Sequence, residues 1–133
     1  MSGDLDLVPF EVKHLAAIPR AEPVVSPEPN GAAAVAAASH AYTLLEDGRP
    51  VACGGLLRVD ETRAIAWAWI GHPGPRALLR TFRAMKAGLE HMRYPQVDAI
   101  VVDDWLPGQR WLRLLGFSLR GQTEHGLLFV RTL

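Results

Sequence analysis

WIGHPGPRALLRTFRAMKAGLE, residues Trp69 to Glu90, reads as the end of a strand, a tight turn built on glycine and proline, and a basic helix. At about 100° per residue, Leu78, Phe82, Met85, Leu89 and Met92 form one apolar stripe, with Arg76, Arg80 and Arg83 on the opposite side. A turn that opens a helix in this way often presents backbone N–H groups to a phosphate, because the first helical turn has unpaired donors and a partial positive charge. Pro73 and Pro75, however, have no N–H to present. Pro75 suits the first helical position, where its missing donor matters least to the helix.

Upstream of this helix the pattern is one of strands. AYTLLEDG, RPVACGGLLRV and AIAWAWIG are separated by turn signals at Asp47-Gly48 and at Asp60-Glu61-Thr62, which predicts an antiparallel meander. In the third strand Ile65, Trp67 and Trp69 alternate with Ala66, Ala68 and Ile70, giving one large and one small face. Gly54-Gly55 predicts a bulge or a close backbone approach. Downstream, Pro95 ends the helix and QVDAIVVDD reads as a buried strand reached by a crossover. A second helix over Pro107 to Leu115 stops at Gly116, and SLRGQTEHGLLFVRTL supplies a closing hairpin. Toward the N-terminus, a short strand over Leu5 to Phe10 leads into a helical turn over Glu11 to Ile18. RAEPVVSPEPNG is too rich in proline to be other than a loop. Ala32 to Ser39 has high helix propensity and few large side chains, which predicts a short helix packed closely against something flat, with a surface segment as the alternative.

The chain has 133 residues and is 49% hydrophobic, which suits one domain with a core of its own. Lysine plus arginine equal aspartate plus glutamate at 14 each, so there is no overall basic excess of the kind that holds nucleic acid without regard to sequence. The distribution is uneven: residues 1–48 carry two bases against seven acids, residues 76–93 five bases against one acid. The single cysteine, Cys53, excludes an internal disulfide framework and a multi-cysteine zinc site, so no metal centre is expected and a reducing compartment fits. The start, MSGDLDLVPF, is acidic where a signal peptide is basic, and no apolar run is long enough to span a bilayer. A soluble, cytoplasmic protein is therefore expected, and the apolar run Leu127 to Val130 offers a strand edge for pairing with a second copy.

The order of these elements, and above all GQRWLRLLGF with its helix ending in Gly116-Phe117, resembles the GNAT acetyltransferase superfamily. The resemblance covers roughly residues 41–133; residues 1–40 are a variable N-terminal region of the same domain. It implies an α/β fold with a central, mostly antiparallel mixed sheet flanked by helices. Within the superfamily, GRPVACGGLL, the Trp-rich strand and RWLRLLGF look most like the acetyltransferase-like internal virion proteins of short-tailed phages and related prophage proteins. That likeness implies packaging in a virion and a phage protein partner.

What the resemblance implies for chemistry is acetyl-CoA as cofactor and a small-molecule or protein amine as acceptor. The family's loop, Gln/Arg-x-x-Gly-x-Gly/Ala, laid on this sequence, puts Gly71 at its first position, Gly74 at the central glycine and Arg76 where Gly or Ala is expected. The cofactor-binding set is then Gly71, His72, Gly74, Arg76, Ala77 and Arg80, with the two arginines replacing donors that the prolines lack. The carboxylate base and tyrosine acid that many members use have no counterpart: AIAWAWI has no titratable group, and Leu112 stands four before Gly116. Asp103, Asp104 and His72 are the substitute candidates, as acid or base. Acids at a strand end are more often turn formers or helix caps, and a lone histidine beside two prolines is more often a surface turn residue. His40, Glu61, Glu124 and His125 are titratable but have no assigned place, and Cys53, without an adjacent base, reads as a small core residue. The alternative is a module without catalysis that binds protein or nucleic acid through the Arg76/Arg80/Arg83 face or the tryptophans Trp67, Trp69, Trp105 and Trp111.

Overall fold

The computed structural model describes residues 4–18, 22–23, 39–101, 106–124 and 126–133. In chain order the elements are β1 (Leu5–Pro9), α1 (Val12–Ala17), β2 (Glu22–Pro23), β3 (Ser39–Glu46), β4 (Arg49–Arg58), β5 (Arg63–Ile70), α2 (Pro75–Met92), β6 (Gln96–Val101), α3 (Leu106–Leu114), β7 (Ser118–Thr123) and β8 (Gly126–Thr132). The sheet order is β1-β3-β4-β5-β6-β8-β7, with β2 paired to β5 off this path. All pairings are antiparallel except that of β5 with β6. The mixed sheet expected from the element order is the one found.

Local chemistry sets the meander. Asp47 and Gly48 both have positive φ, 52° and 80°, the geometry of a two-residue hairpin turn whose twist matches its strands. At the next turn the Asp60 carboxylate accepts from the Thr62 N–H at 2.8 Å and from its hydroxyl at 2.9 Å. These local bonds hold the Asp60 carboxyl below its ordinary range. Gly54 and Gly55 mark a close approach: a Cβ on Gly54 would lie 2.6 Å from the Trp67 carbonyl oxygen, and one on Gly55 would strike the His40 carbonyl. The irregularity of register falls elsewhere, between Leu44 and Leu45.

Side-chain alternation then divides the core. On one side of the sheet Cys53 and Trp67 pack with Ile18, with Phe10, Leu15, Ala41, Leu57 and Trp69 around them. The Phe10 and Trp67 rings meet edge to face at 5.1 Å. Below α1, the His14 Nδ1 accepts from the Glu11 N–H at 3.1 Å and lies 2.7 Å from the fully buried Thr43 hydroxyl. On the other side Ala52, Leu56, Ala64, Ala68 and Ile70 face the main core with Leu89, Val97, Leu112, Phe117 and Phe129. The large face of β5 thus packs α1, and the small face looks toward α2 and α3.

α2 is amphipathic as expected, with its stripe displaced. Ala77, Thr81 and Leu89 are its buried residues, and Leu78 is 38% exposed. The Thr81 hydroxyl donates to the Ala77 carbonyl, so a polar residue is accommodated on the inner face. α2 ends with Arg93 in the left-handed region, its N–H on the Leu89 carbonyl. α3 ends in a paired C-cap: Gly116 (φ 96°) donates to the Arg113 carbonyl at 3.1 Å and Phe117 to that of Leu112 at 2.9 Å. Gly116-Phe117 is therefore a helix stop that turns Phe117 into the core.

Three expectations are corrected. Within the proline-rich stretch, Glu22–Pro23 is not loop but a two-residue strand opposite Ile70 and Trp69. The final strand offers no edge to a second copy, because β8 lies between β6 and β7; β7, not β8, closes the sheet on that side. Ser39 opens β3 rather than closing a helix, and the rest of the helix expected over 32–39 lies outside the described residues.

Candidate functional site: a cleft closed by the chain's own groups

The crossover through α2 makes β5 and β6 parallel neighbours, and they pair only at Arg63↔Gln96, Ala64↔Val97 and Ile65↔Asp98. Asp98 holds this junction. Its carboxylate accepts from the Arg63 Nε at 2.8 Å and from the Gln96 side chain at 2.9 Å, and it is nearly buried. Beyond Ile65 the two strands no longer pair, while β6 stays bonded to β8 along its length. The result is a cleft between the C-terminal halves of β5 and β6, with the Gly71–Pro75 loop and the N-terminus of α2 following at the end of β5.

Two donors of that loop are already engaged, and two positions have none. The Gly71 N–H continues the β4 ladder, donating to the Val51 carbonyl at 2.9 Å. Pro73 and Pro75 have none. The Gly74 N–H, at the N-cap of α2, donates to the Glu46 carboxylate at 3.3 Å, and the nearest atom to a Cβ built on Gly74 is a Glu46 carboxylate oxygen at 3.1 Å. Glu46 ends β3 and brings its charge to the helix N-terminus across 28 residues of sequence. The helix has no acid in its own first turn, so this distant carboxylate answers the partial positive charge there. Ala77 is fully buried, and His72, Arg76 and Arg80 are exposed.

The upper part of β5 is likewise engaged. On one edge Trp69 and Ile70 pair with Cys53 and Ala52; on the other, where β6 has diverged, they pair with Pro23 and Glu22. A backbone segment of the chain itself occupies the free edge of the splayed strand. An extended ligand seeking main-chain bonds there meets β2 first.

The side chains offer little acid–base chemistry. Leu112 is buried in the core. The Cys53 thiol is pushed up to about 12 by burial alone, which keeps it protonated and unreactive as a nucleophile. His72 lies on the loop surface, and Asp103, Asp104, Trp105 and His125 fall outside the described residues. Trp67 is core, and Trp111 is half-buried with its ring against Phe82 at 5.9 Å. His40 and Glu61 share a second hollow with Arg58, Met92, Arg93 and Tyr94, away from the loop. Among the described residues no three His, Cys, Asp or Glu side chains gather as metal ligands, and no helix is long and apolar enough to cross a membrane. Glu46 and β2 were missed in the sequence because both act over long separations. The absence of any acid in the first turn of α2 was the one available sign of the former.

Acetyl-CoA can be tested against this geometry. The loop that would hold its pyrophosphate has two prolines, one N–H committed to the sheet and one facing a carboxylate of the chain. A phosphate placed there would displace Glu46 or stand beside its negative charge. The glycine and proline positions of the loop do not fit the group while Glu46 is in place, whereas Arg76 and Ala77 keep backbone N–H groups in the first helical turn.

No protein-family model matches the chain, and no curated protein matches it. Solved structures do. An acetyltransferase from Streptococcus agalactiae superposes with a TM-score of 0.75 at 12% identity, over 97% of this chain and 98% of that one. A GNAT family acetyltransferase from Elizabethkingia anophelis with acetyl-CoA bound gives 0.69 at 8% identity, over 97% and 98%. The PaiA N-acetyltransferase from Thermoplasma acidophilum in complex with coenzyme A gives 0.68 at 7% identity, over 98% and 100%. At these identities the likeness is one of architecture, and it extends through the N-terminal residues whose sequence match is weak. The chain has the GNAT acetyltransferase fold.

Proposed function

We propose that this chain uses the GNAT fold as a binding module and does not transfer acetyl groups. The observation that carries the reading is the Glu46 carboxylate on the Gly74 N–H, an anion of the protein's own at the helix N-terminus where the fold's cofactor-bound relatives would be expected to place theirs. Three features support it: β2 along the upper edge of β5, the prolines at 73 and 75, and the absence of a titratable side chain from Ala64 to Ile70 of β5. Acetyl transfer needs an amine relieved of its proton and a stabilised oxyanion, and among the described residues neither has an assigned group in this cleft.

As a module, the chain presents the exposed Arg76, Arg80 and Arg83 of α2, flanked by the half-exposed Leu79. A surface of arginines around an apolar residue suits an acidic protein partner. The resemblance to internal virion proteins supports the same kind of partner. Calorimetric titration of the purified protein with acetyl-CoA tests the reading. Flat heats at high protein concentration are expected. Micromolar binding that disappears in Arg76→Glu would overturn it and restore the cofactor set Gly71, His72, Gly74, Arg76, Ala77 and Arg80.

A further inference from the structure

A helix resting on a sheet leaves a gap that large side chains from both sides normally fill to crystal-like density. Under α2 both facing stripes are small. The sheet contributes Ala52, Gly54, Ala66 and Ala68, and the helix contributes Ala84 and Gly88. What remains between them is a cavity of about 650 Å³, within the range of small-molecule sites and open at one side. Its inner wall is made by buried Leu44, Leu56, Leu89 and Phe117, so it is an apolar space of the kind that holds apolar guests better than water. Met85 and Met92 also line it, and their flexible thioethers adapt to a guest's shape.

The cavity shares Ala66, Trp67 and Ala68 of β5 with the cleft but lies under α2, since none of Gly71 to Arg76, Glu46 or β6 lines it. Its polar rim is one-sided. Arg80, His40, His91 and Tyr42 reach it, all exposed, together with the buried Thr81, and among the described residues no carboxylate does. An Arg80 guanidinium at the rim of a mainly apolar chamber without a carboxylate among its described lining complements a molecule with an anionic head and a hydrocarbon body.

We propose that this chamber binds an aliphatic carboxylate, with its chain between α2 and the sheet and its head group on Arg80. The proposal goes beyond the reading of the cleft and does not depend on it. A Cβ built on Gly88 meets nothing within 4 Å, so a larger side chain there enters open space instead of a packed wall. Gly88→Leu should therefore fill the chamber while favouring the helix.

The test is titration of the full chain with decanoate, decanol and decylamine, read by calorimetry and by fluorescence of Trp111, which lines the chamber. Decanoate is expected to bind at least tenfold more tightly than decanol, and decylamine more weakly still. Arg80→Gln should erase the preference for decanoate over decanol, and Gly88→Leu should raise Tm and weaken both ligands at least tenfold. No binding of decanoate below its micelle concentration would overturn the proposal. So would equal affinity for decanoate and decanol in the wild type, or unchanged affinity in a folded Gly88→Leu. Should Gly88→Leu fail to fold, the surface variant Arg80→Gln decides alone: unchanged decanoate affinity refutes the site.

Discussion

Replacing Glu46 by alanine removes one hydrogen bond and one charge from the N-terminus of α2, and the loss can be sized from the geometry. A bond between a charged group and an N–H contributes about 1.5–3 kcal/mol, and at 3.3 Å this one lies beyond the usual range, which places it at the low end. The interaction of a carboxylate with the helix dipole adds about 0.3–1 kcal/mol. Gly74 is only half-buried, so water replaces part of the bond, and the net loss should be about 1–2 kcal/mol. For a chain of 133 residues that corresponds to a fall in Tm of roughly 3–6 °C. Glu46→Gln keeps an acceptor and removes the charge, so it should lose about half as much, and 1 M NaCl should narrow its distance from the wild type because the Debye length there is about 3 Å. Urea unfolding followed by tryptophan fluorescence measures all three proteins. Glu46→Ala as stable as the wild type would refute the assignment of this carboxylate as the cap of α2. Equal losses for alanine and glutamine with no effect of salt would refute the electrostatic part.

Other expectations rest on separate parts of the molecule. Asp98→Ala leaves Arg63 and Gln96 without their shared acceptor at the β5–β6 junction; with Arg63 about half exposed, destabilisation of about 1–3 kcal/mol by chemical denaturation is expected. Phe129→Ala empties a site with no exposed surface between the sheet and the helices and should lower stability by about 3–5 kcal/mol. Cys53 titrates near 12 when folded and near its ordinary value of 9.0 when unfolded. The unfolded chain therefore loses the proton first as pH rises, so the thiol's contribution is intact below pH 9 and is lost between 9 and 12. Stability of the wild type should fall across that window more steeply than that of Cys53→Ala, and a thiol reagent at neutral pH should modify Cys53 only at the rate of unfolding.

The elements that could be read in the sequence are those whose physics is local. Asp47-Gly48 demands a turn with positive φ, Pro75 opens a helix, and Gly116 closes one, each within a few residues of the atoms it bonds. Periodicity also gave the two faces of β5, because alternation and burial are linked residue by residue. It misplaced the inner face of α2, where Leu78 lies half out and Thr81 lies in, because a hydroxyl bonded to its own helix is no longer polar toward the core. Contacts across long separations carried no local sign. Glu22–Pro23 reads as a breaker in a proline-rich run, and only the divergence of β6 gives it an edge to join. The place of β8 inside the sheet follows from the crossover and the hairpin together, and composition alone made the same strand look like a free edge.

On the proposed reading, fold and chemistry separate for a physical reason. The cleft between β5 and β6 is made by groups at its closed end and behind it: Asp98 with Arg63 and Gln96 at the junction, and Leu112, Phe117 and Phe129 in the core that supports β6 and β8. None of these needs a cofactor for its stability. The groups at the open end, Gly74 and the edge of β5, gain from any partner that satisfies a donor or a strand edge, whether a ligand or the chain itself. Glu46 and β2 are such partners, already attached and therefore free of the translational entropy that a diffusing molecule gives up on binding. Once a chain supplies them, residues that favour the ligand over the internal partner lose their thermodynamic use, and prolines at 73 and 75, which rigidify the turn and remove its donors, become stabilising instead of harmful.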